Sequence, residues 1–208
     1  MKKITGLFFC VFLLSSSSVL AETPSIAAGN LEFGIGNLFS YGRAWNDTLD
    51  YNLVNFGTMG VGQRTVSENF FFPTPAFSFS YFIIDGLALG GQAGYNYIKE
   101  DDQDDPLQVY FLGPEMKFYI AVTESILIDA HGGFAYTGMD DGSNDYSRWS
   151  FKIGAGLNYL FTKNFAACVN LDYEYYFDTE KNGSAVDNSD YNIVSISVGF
   201  KAFITFNE

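Results

Sequence analysis

Long runs in which side-chain character changes at every second residue dominate this chain, and they restrict it to β-structure. Near the C-terminus, Val194, Ile196, Val198, Phe200, Ala202, Ile204 and Phe206 share one parity. Ser195, Ser197, Gly199, Lys201 and Thr205 share the other, with Phe203 the one large exception. A strand sends successive side chains to opposite faces, so this segment has an apolar face and a polar or small face. The pattern recurs upstream. Trp149, Phe151, Ile153, Ala155, Leu157 and Tyr159 oppose Arg148, Ser150, Lys152, Gly154, Gly156 and Asn158. Phe165, Val169, Leu171, Tyr173, Tyr175 and Phe177 oppose Cys168, Asn170, Asp172 and Glu174. Leu87, Leu89, Tyr95 and Tyr97 oppose Gly90, Gln92 and Gly94. Weaker versions run through Leu31–Ile35, Phe71–Tyr81, Leu107–Ile120 and Ile126–Tyr136.

These segments predict eight strands, most of them about 11 to 14 residues long, whereas ordinary soluble strands centre on about 5 to 6. A tilted strand needs about 9 to 11 residues to cross the hydrocarbon of a bilayer. The connections carry a second regularity. Ile83–Gly86, Ala121–Ser125 and Phe161–Asn164 are tight. Ser40–Asn69, Lys99–Pro106, Gly138–Asp145 and Asp178–Asp190 are long and polar. Short and long alternate along the chain, as in barrels with short periplasmic turns and longer external loops. Tyr and Phe gather at strand ends, where aromatic rings favour the membrane–water boundary. The composition agrees: aromatic residues reach 18% and charged residues only 17%, against about 25% charged in an average domain.

The first 21 residues read as a removable export signal. Lys2 and Lys3 precede an apolar run, Ile4–Leu14, and Val19-Leu20-Ala21 ends in a small residue at the expected cleavage point. That run is shorter than the roughly 20 residues needed to span a bilayer as a helix. Cys10 lies inside it without the small residues that a lipid-attachment site requires. Residues 22–208 then form a single domain with one cysteine, Cys168, so no internal disulfide is available. The net charge is −13, and loss of Lys2 and Lys3 makes the mature chain more negative still. That balance excludes nucleic acid, which calls for a basic patch.

The unit Phe72-Pro73-Thr74-Pro75 through Tyr81-Phe82-Ile83-Ile84-Asp85-Gly86-Leu87-Ala88-Leu89-Gly90 resembles the second hairpin of the small bacterial outer-membrane β-barrel superfamily. The C-terminal strand, alternating and closing on an aromatic, resembles the signal read by the barrel assembly machinery, although Asn207 and Glu208 follow Phe206. The resemblance spans residues 26–206. It implies an eight-stranded antiparallel up-and-down transmembrane barrel in the cell outer membrane, with both termini periplasmic. It also implies contact with outer-membrane lipid and lipopolysaccharide. A ten-stranded count follows if residues 40–69 hold a further hairpin.

With the apolar face toward lipid, the other face lines the interior. It carries Glu32, Glu115, Asp129, Asp172 and Glu174 together with Lys117, His131, Arg148, Lys152 and Lys201. An eight-stranded barrel is only wide enough for side chains to fill it, and isolated buried charge is very costly. These residues are therefore expected to form a charged network that closes the lumen, in preference to a narrow ion channel. His131, Asp129 and a serine have the residue types of a hydrolase triad, and some barrels of this superfamily modify lipid A. Parity places His131 away from acyl chains, so no enzyme is expected. No cofactor is expected either. There is no Cys/His cluster for zinc, no phosphate-cradling loop before a helix, and no calcium-loop spacing in Asp101–Asp105 or Asp140–Asp145. A structural, envelope-integrity or surface-attachment role remains. The loop Ser40–Asn69, with Trp45, Tyr51, Phe56 and Met59, is its candidate contact surface for an external ligand.

Overall fold

A computed structural model describes residues 26–46, 50–56, 76–98, 107–140, 142–186 and 190–206. The expected signal segment, Phe71, Met59 and the acidic stretch Asp101–Asp105 lie outside these residues. Ten strands form among them: β1 (Leu31–Trp45), β2 (Asp50–Phe56), β3 (Ala76–Ile84), β4 (Leu87–Ile98), β5 (Leu107–Thr123), β6 (Ile126–Asp140), β7 (Asp145–Thr162), β8 (Phe165–Lys181), β9 (Ser184–Ala185) and β10 (Tyr191–Ile204). Eight of them make a closed ring, β1-β3-β4-β5-β6-β7-β8-β10, and β10 pairs back onto β1. Every pairing is antiparallel.

Tight turns join β3 to β4, β5 to β6 and β7 to β8 at one end of the ring. Gly86 turns the first of them at φ +76°, and a Cβ there would stand 2.7 Å from the Tyr119 carbonyl oxygen. Both ends of the described chain leave at this same rim, where Leu31 pairs with Ile204. At the opposite rim the strands run further than the alternation alone predicts. β6 continues to Asp140 and β8 to Lys181, so much of two expected loops is strand that stands beyond the girdle.

The first long loop is organised differently from a simple excursion. β1 is shared along one edge by two partners: β3 pairs with Leu31–Gly36 and β2 with Phe39–Trp45. β2 therefore stands above β3, outside the ring, and the ring keeps eight members although the chain has ten strands. Between these partners β1 bulges. Ile35 pairs with Phe200 and Phe39 with Val198, so β1 spends two extra residues over that distance, with Asn37 at φ 56°. An even insertion preserves parity, and Ile35 and Phe39 keep the same face. Arg43 Nε donates to Asp50 Oδ1 at 2.7 Å across the β1–β2 hairpin. That guanidinium holds the exposed Asp50 carboxyl below the usual carboxylate range.

The distribution of burial is the reverse of that in a water-soluble protein. Leu112 is 66% exposed and Phe77 59%, whereas Glu32 and Arg148 are fully buried. Hydrocarbon is the solvent that makes this favourable on the outer wall. At the upper rim the girdle is tyrosine-rich and its hydroxyls donate to neighbouring polar groups. Tyr95 reaches Gln108 at 3.1 Å, Tyr173 reaches Asn192 at 2.6 Å and Tyr175 reaches Asp190 at 2.7 Å. At the turn rim the girdle is phenylalanine-rich, with Phe161, Phe165 and Phe200 stacked in sequence.

Inside, the turn end is apolar. Ile26, Phe82, Tyr119, Leu127, Leu160 and Phe203 close it with three alanines, and the Phe82, Tyr119 and Phe203 rings lie 5.6–6.4 Å apart. Phe203, the exception to the alternation in the last strand, is the centre of this plug. Removing it leaves a void that the closed wall cannot collapse to fill. Phe203→Ala is expected to lower the unfolding free energy by about 3–5 kcal/mol, read by urea titration of protein folded into lipid vesicles. Ile204→Ala, on the lipid-facing side, should cost clearly less.

Candidate functional site

Above the apolar plug the inward positions of six ring strands carry charge at one level. β1 supplies Glu32, β5 Glu115 and Lys117, β6 Asp129 and His131, β7 Lys152, β8 Asp172, and β10 Lys201. Lys117 Nζ lies 2.7 Å from Glu32 Oε1 and 3.1 Å from Glu115 Oε2. It also donates to Ser78 Oγ at 3.1 Å. Lys152 Nζ continues the row, 3.1 Å from Glu115 Oε1 and 2.7 Å from Gln92 Oε1. A second group centres on Asp129, which accepts from Lys201 at 2.9 Å, Asn158 at 2.7 Å and His131 at 2.6 Å. Tyr119 joins the two groups: its hydroxyl donates to Glu32 and accepts from Lys201 Nζ at 2.8 Å.

His131 occupies the middle of this layer. Its Nδ1 faces Asp129 Oδ1 and its Nε2 faces Asp172 Oδ1, each at 2.6 Å. An ionised carboxylate only accepts hydrogen bonds, and a neutral imidazole has one N–H, so only the imidazolium donates to both. With that proton, Glu32, Glu115, Asp129 and Asp172 balance Lys117, Lys152, Lys201 and His131. The layer is then electrically neutral, as a buried group of this size requires. Space for the histidine comes from β7. A Cβ on Gly154 would lie 2.2 Å from Asp172 Oδ1 and 2.5 Å from His131 Nε2, and one on Gly156 would lie 2.4 Å from Asp129 Oδ2.

The remaining two expected residues lie higher. Arg148 lies against a stacked pair of tyrosine rings, its guanidinium carbon 4.7 Å from the Tyr191 centroid and 5.9 Å from that of Tyr176. Glu174 accepts from Tyr176 at 2.5 Å. Thus the ten expected interior residues all face inward, but they form two levels. Tyr119, Gln92, Asn158, Tyr176 and Tyr191 complete the arrangement. Their signal in the sequence is parity: each is a hydrogen-bonding residue on the inward register.

A cavity of about 50 Å³ lies within the charged layer, lined in part by Lys117, His131, Lys152, Asp172 and the buried thiol of Cys168. It has room for a few water molecules, each needing about 10–15 Å³ on this measure. The constellation does not assemble a nucleophile. Both nitrogens of His131 are engaged by carboxylates, and Ser78 is held by Lys117. What the geometry can do is fill the lumen and lock opposing walls together.

Two expectations follow. Lys117→Met leaves Glu32 without its cation and should cost about 3–5 kcal/mol, with part recovered in the double variant carrying Glu32→Gln. In a heat-modifiability assay, Gly154→Val should reduce the folded band sharply, whereas Ala155→Val, one residue away on the lipid face, should not.

The chain is similar to several solved outer-membrane proteins. It shares 14% identity with the attachment invasion locus protein Ail of Yersinia pestis, over 85% of this chain and 99% of that one, with a TM-score of 0.44. For the N-terminal β-barrel domain of Pseudomonas aeruginosa OprF the values are 15%, 84%, 98% and 0.46. For the outer membrane protein OprG of Pseudomonas aeruginosa they are 13%, 87%, 98% and 0.49. No curated protein matches it. The protein family described as "Putative MetA-pathway of phenol degradation" matches residues 24–207.

Proposed function

The chain belongs to that family, and from its filled barrel we propose that it is a non-enzymatic integral outer-membrane protein acting in envelope integrity or surface attachment through its external rim. The single observation behind this reading is the interior. A neutral ion-pair layer sits on an apolar plug, and the cavity within the layer measures about 50 Å³. An engineered apolar cavity that binds benzene measures about 150 Å³, well above this space, so this reading gives the lumen no part in passing a phenol-sized compound. In this reading the tight turns and both termini face the periplasm, residues 1–21 are removed on export, and β10 carries the assembly signal. Lipid and lipopolysaccharide surround the wall.

The rim offers a built surface. The β6–β7 turn and the β8–β9 hairpin are tied together: Asn182 N–H donates to the Asp145 carbonyl at 2.7 Å, and Asp145 N–H donates to Asn182 Oδ1 at 2.8 Å. Lys181 lies 5.2 Å over the Tyr146 ring beside them. Trp45 ends β1 at the same rim, paired with Asn192 of β10, the neighbour of β8.

In a planar bilayer the purified protein should give no stable single-channel steps; sizeable, stable steps would overturn the closed lumen. Replacing residues 57–75 with a short Gly–Ser turn should leave the heat-modifiable band intact. The same change should abolish the attachment or envelope phenotype of cells carrying the protein. An unchanged phenotype would sink the external-rim reading.

A further inference from the structure

β4 outlasts the strand beside it. Toward β5 it is paired along its whole length, from Leu87–Phe118 to Ile98–Leu107. Toward β3 the pairing stops at Phe77–Ala93. β2 stands in line above β3 along β1, but it pairs with β1 and not with β4. Among the described residues, Gly94–Ile98 therefore have a ladder on one side only.

The register identifies the groups on the open side. Tyr119 N–H donates to the Gly86 carbonyl at 2.6 Å, and the β4–β5 register runs on from there without a break. Even-numbered residues of β4 thus bond to β5, and odd-numbered ones turn their N–H and C=O the other way. At the upper end these are Tyr95 and Tyr97. Continuing β3 upward in its own register would set Pro75 against Tyr95 and Pro73 against Tyr97. Proline has no N–H, so that continuation supplies no donor to either tyrosine carbonyl. The edge also lacks the devices that blunt an open strand: Gly94-Tyr95-Asn96-Tyr97-Ile98 holds no lysine, proline or bulge. Both tyrosine rings stand in the upper girdle, more than half exposed, at the boundary where water reaches the backbone.

We propose that this edge is a docking site for an extended, basic peptide segment of an external partner, which joins the sheet as a further strand. Main-chain bonds at Tyr95 and Tyr97 hold it. The charge of the partner follows from the chain itself. β4 leads into residues 100–105, Glu-Asp-Asp-Gln-Asp-Asp, so five carboxylates are tethered within a few residues of the edge. A second copy does not fit. Barrels in one membrane share the same upward direction, so a two-fold between them lies along the membrane normal. With strands tilted by about 35–45°, two facing β4 edges cross at roughly 70–90° and form no ladder. The proposal deepens the external-rim reading and takes from it which rim faces outward.

The test follows amide hydrogen exchange of the full chain folded in maltoside micelles. In the free protein the Asn96 amide, bonded to β5, should be protected, and the Tyr95 and Tyr97 amides should exchange at least tenfold faster. A capped decapeptide of alternating Lys and Val should slow Tyr95 and Tyr97 at least tenfold and saturably. The alternating Glu and Val decapeptide at the same concentration should not. Tyr97→Pro removes an edge N–H and spares the β4–β5 ladder, whereas Tyr97→Ala removes only the ring. With heat-modifiable mobility retained, the proline variant should bind the Lys–Val peptide at least tenfold more weakly than the alanine variant. Exchange in the wild type decides the matter where the proline variant does not fold. Protection of Tyr95 and Tyr97 in the free protein would overturn the proposal, because the chain would then cover its own edge. So would no slowing by the Lys–Val peptide, equal slowing by the Glu–Val peptide, or equal affinity of the two variants. Such a failure leaves the external-rim reading standing, because the phenotype of cells does not report on these amides.

Discussion

Every backbone N–H and C=O in the hydrocarbon must find its partner within the protein, because the solvent there offers none. This requirement decides the architecture before any side chain does. An open sheet would leave two unpaired edges in lipid, so β10 must return to β1, and it does so from Leu31–Ile204 to Trp45–Asn192. Closure then assigns the two faces of every strand to two different environments. The outer face meets acyl chains, and the inner face meets only the other strands. The period-two alternation is the sequence's record of that division.

The inner environment is severe because eight strands enclose so little. Charged residues placed there cannot be hydrated individually, and each must neutralise another across the lumen. The network achieves this through reach. Glu32 on β1 meets Lys117 on β5, with β3 and β4 between them in the ring. Asp129 on β6 meets Lys201 on β10. Long side chains can cross only where the facing wall is bare, and Gly154 and Gly156 provide that space beside His131. The bulk of the lysines and histidine and the absence of side chains on β7 are one design. The apolar floor serves a different need: it seals the turn end with groups that require no partner.

Parity in the sequence was enough to place the ten charged residues inside, because facing is a local property of a strand. Height and partnership were not legible. They depend on the stagger of all eight pairings at once, which no single segment records. Arg148 and His131 share a face by parity, yet one lies among tyrosines and the other between two carboxylates. The apolar plug did leave a trace. At the turn ends both parities are apolar, as in Phe82-Ile83-Ile84, Ile126-Leu127-Ile128 and Ala202-Phe203-Ile204, and a two-faced apolar run in a barrel wall means that the lumen beside it is dry. The division of the second wall position between β2 and β3 had no such signal. The bulge at Asn37 inserts an even number of residues and leaves the alternation intact.

Neutrality of the interior has a consequence for the outside. Glu174 and Arg148 add one charge of each sign to a layer that already balances, so the lumen contributes nothing to the net charge of the chain. With His131 counted as the imidazolium, one charge less negative than the formal −13, the whole excess of acid falls on residues outside these ten. Much of it lies in the stretches 100–105, 140–145 and 178–190. At the upper rim one of them, Asp190, accepts from the hydroxyl of Tyr175 in the girdle at 2.7 Å. A partner approaching that rim meets an anionic field that reaches about 8 Å at physiological ionic strength. It favours cationic surfaces and repels bare phosphate and sulfate groups. The chain thus carries outside its lumen the charge that the barrel could not accommodate within itself.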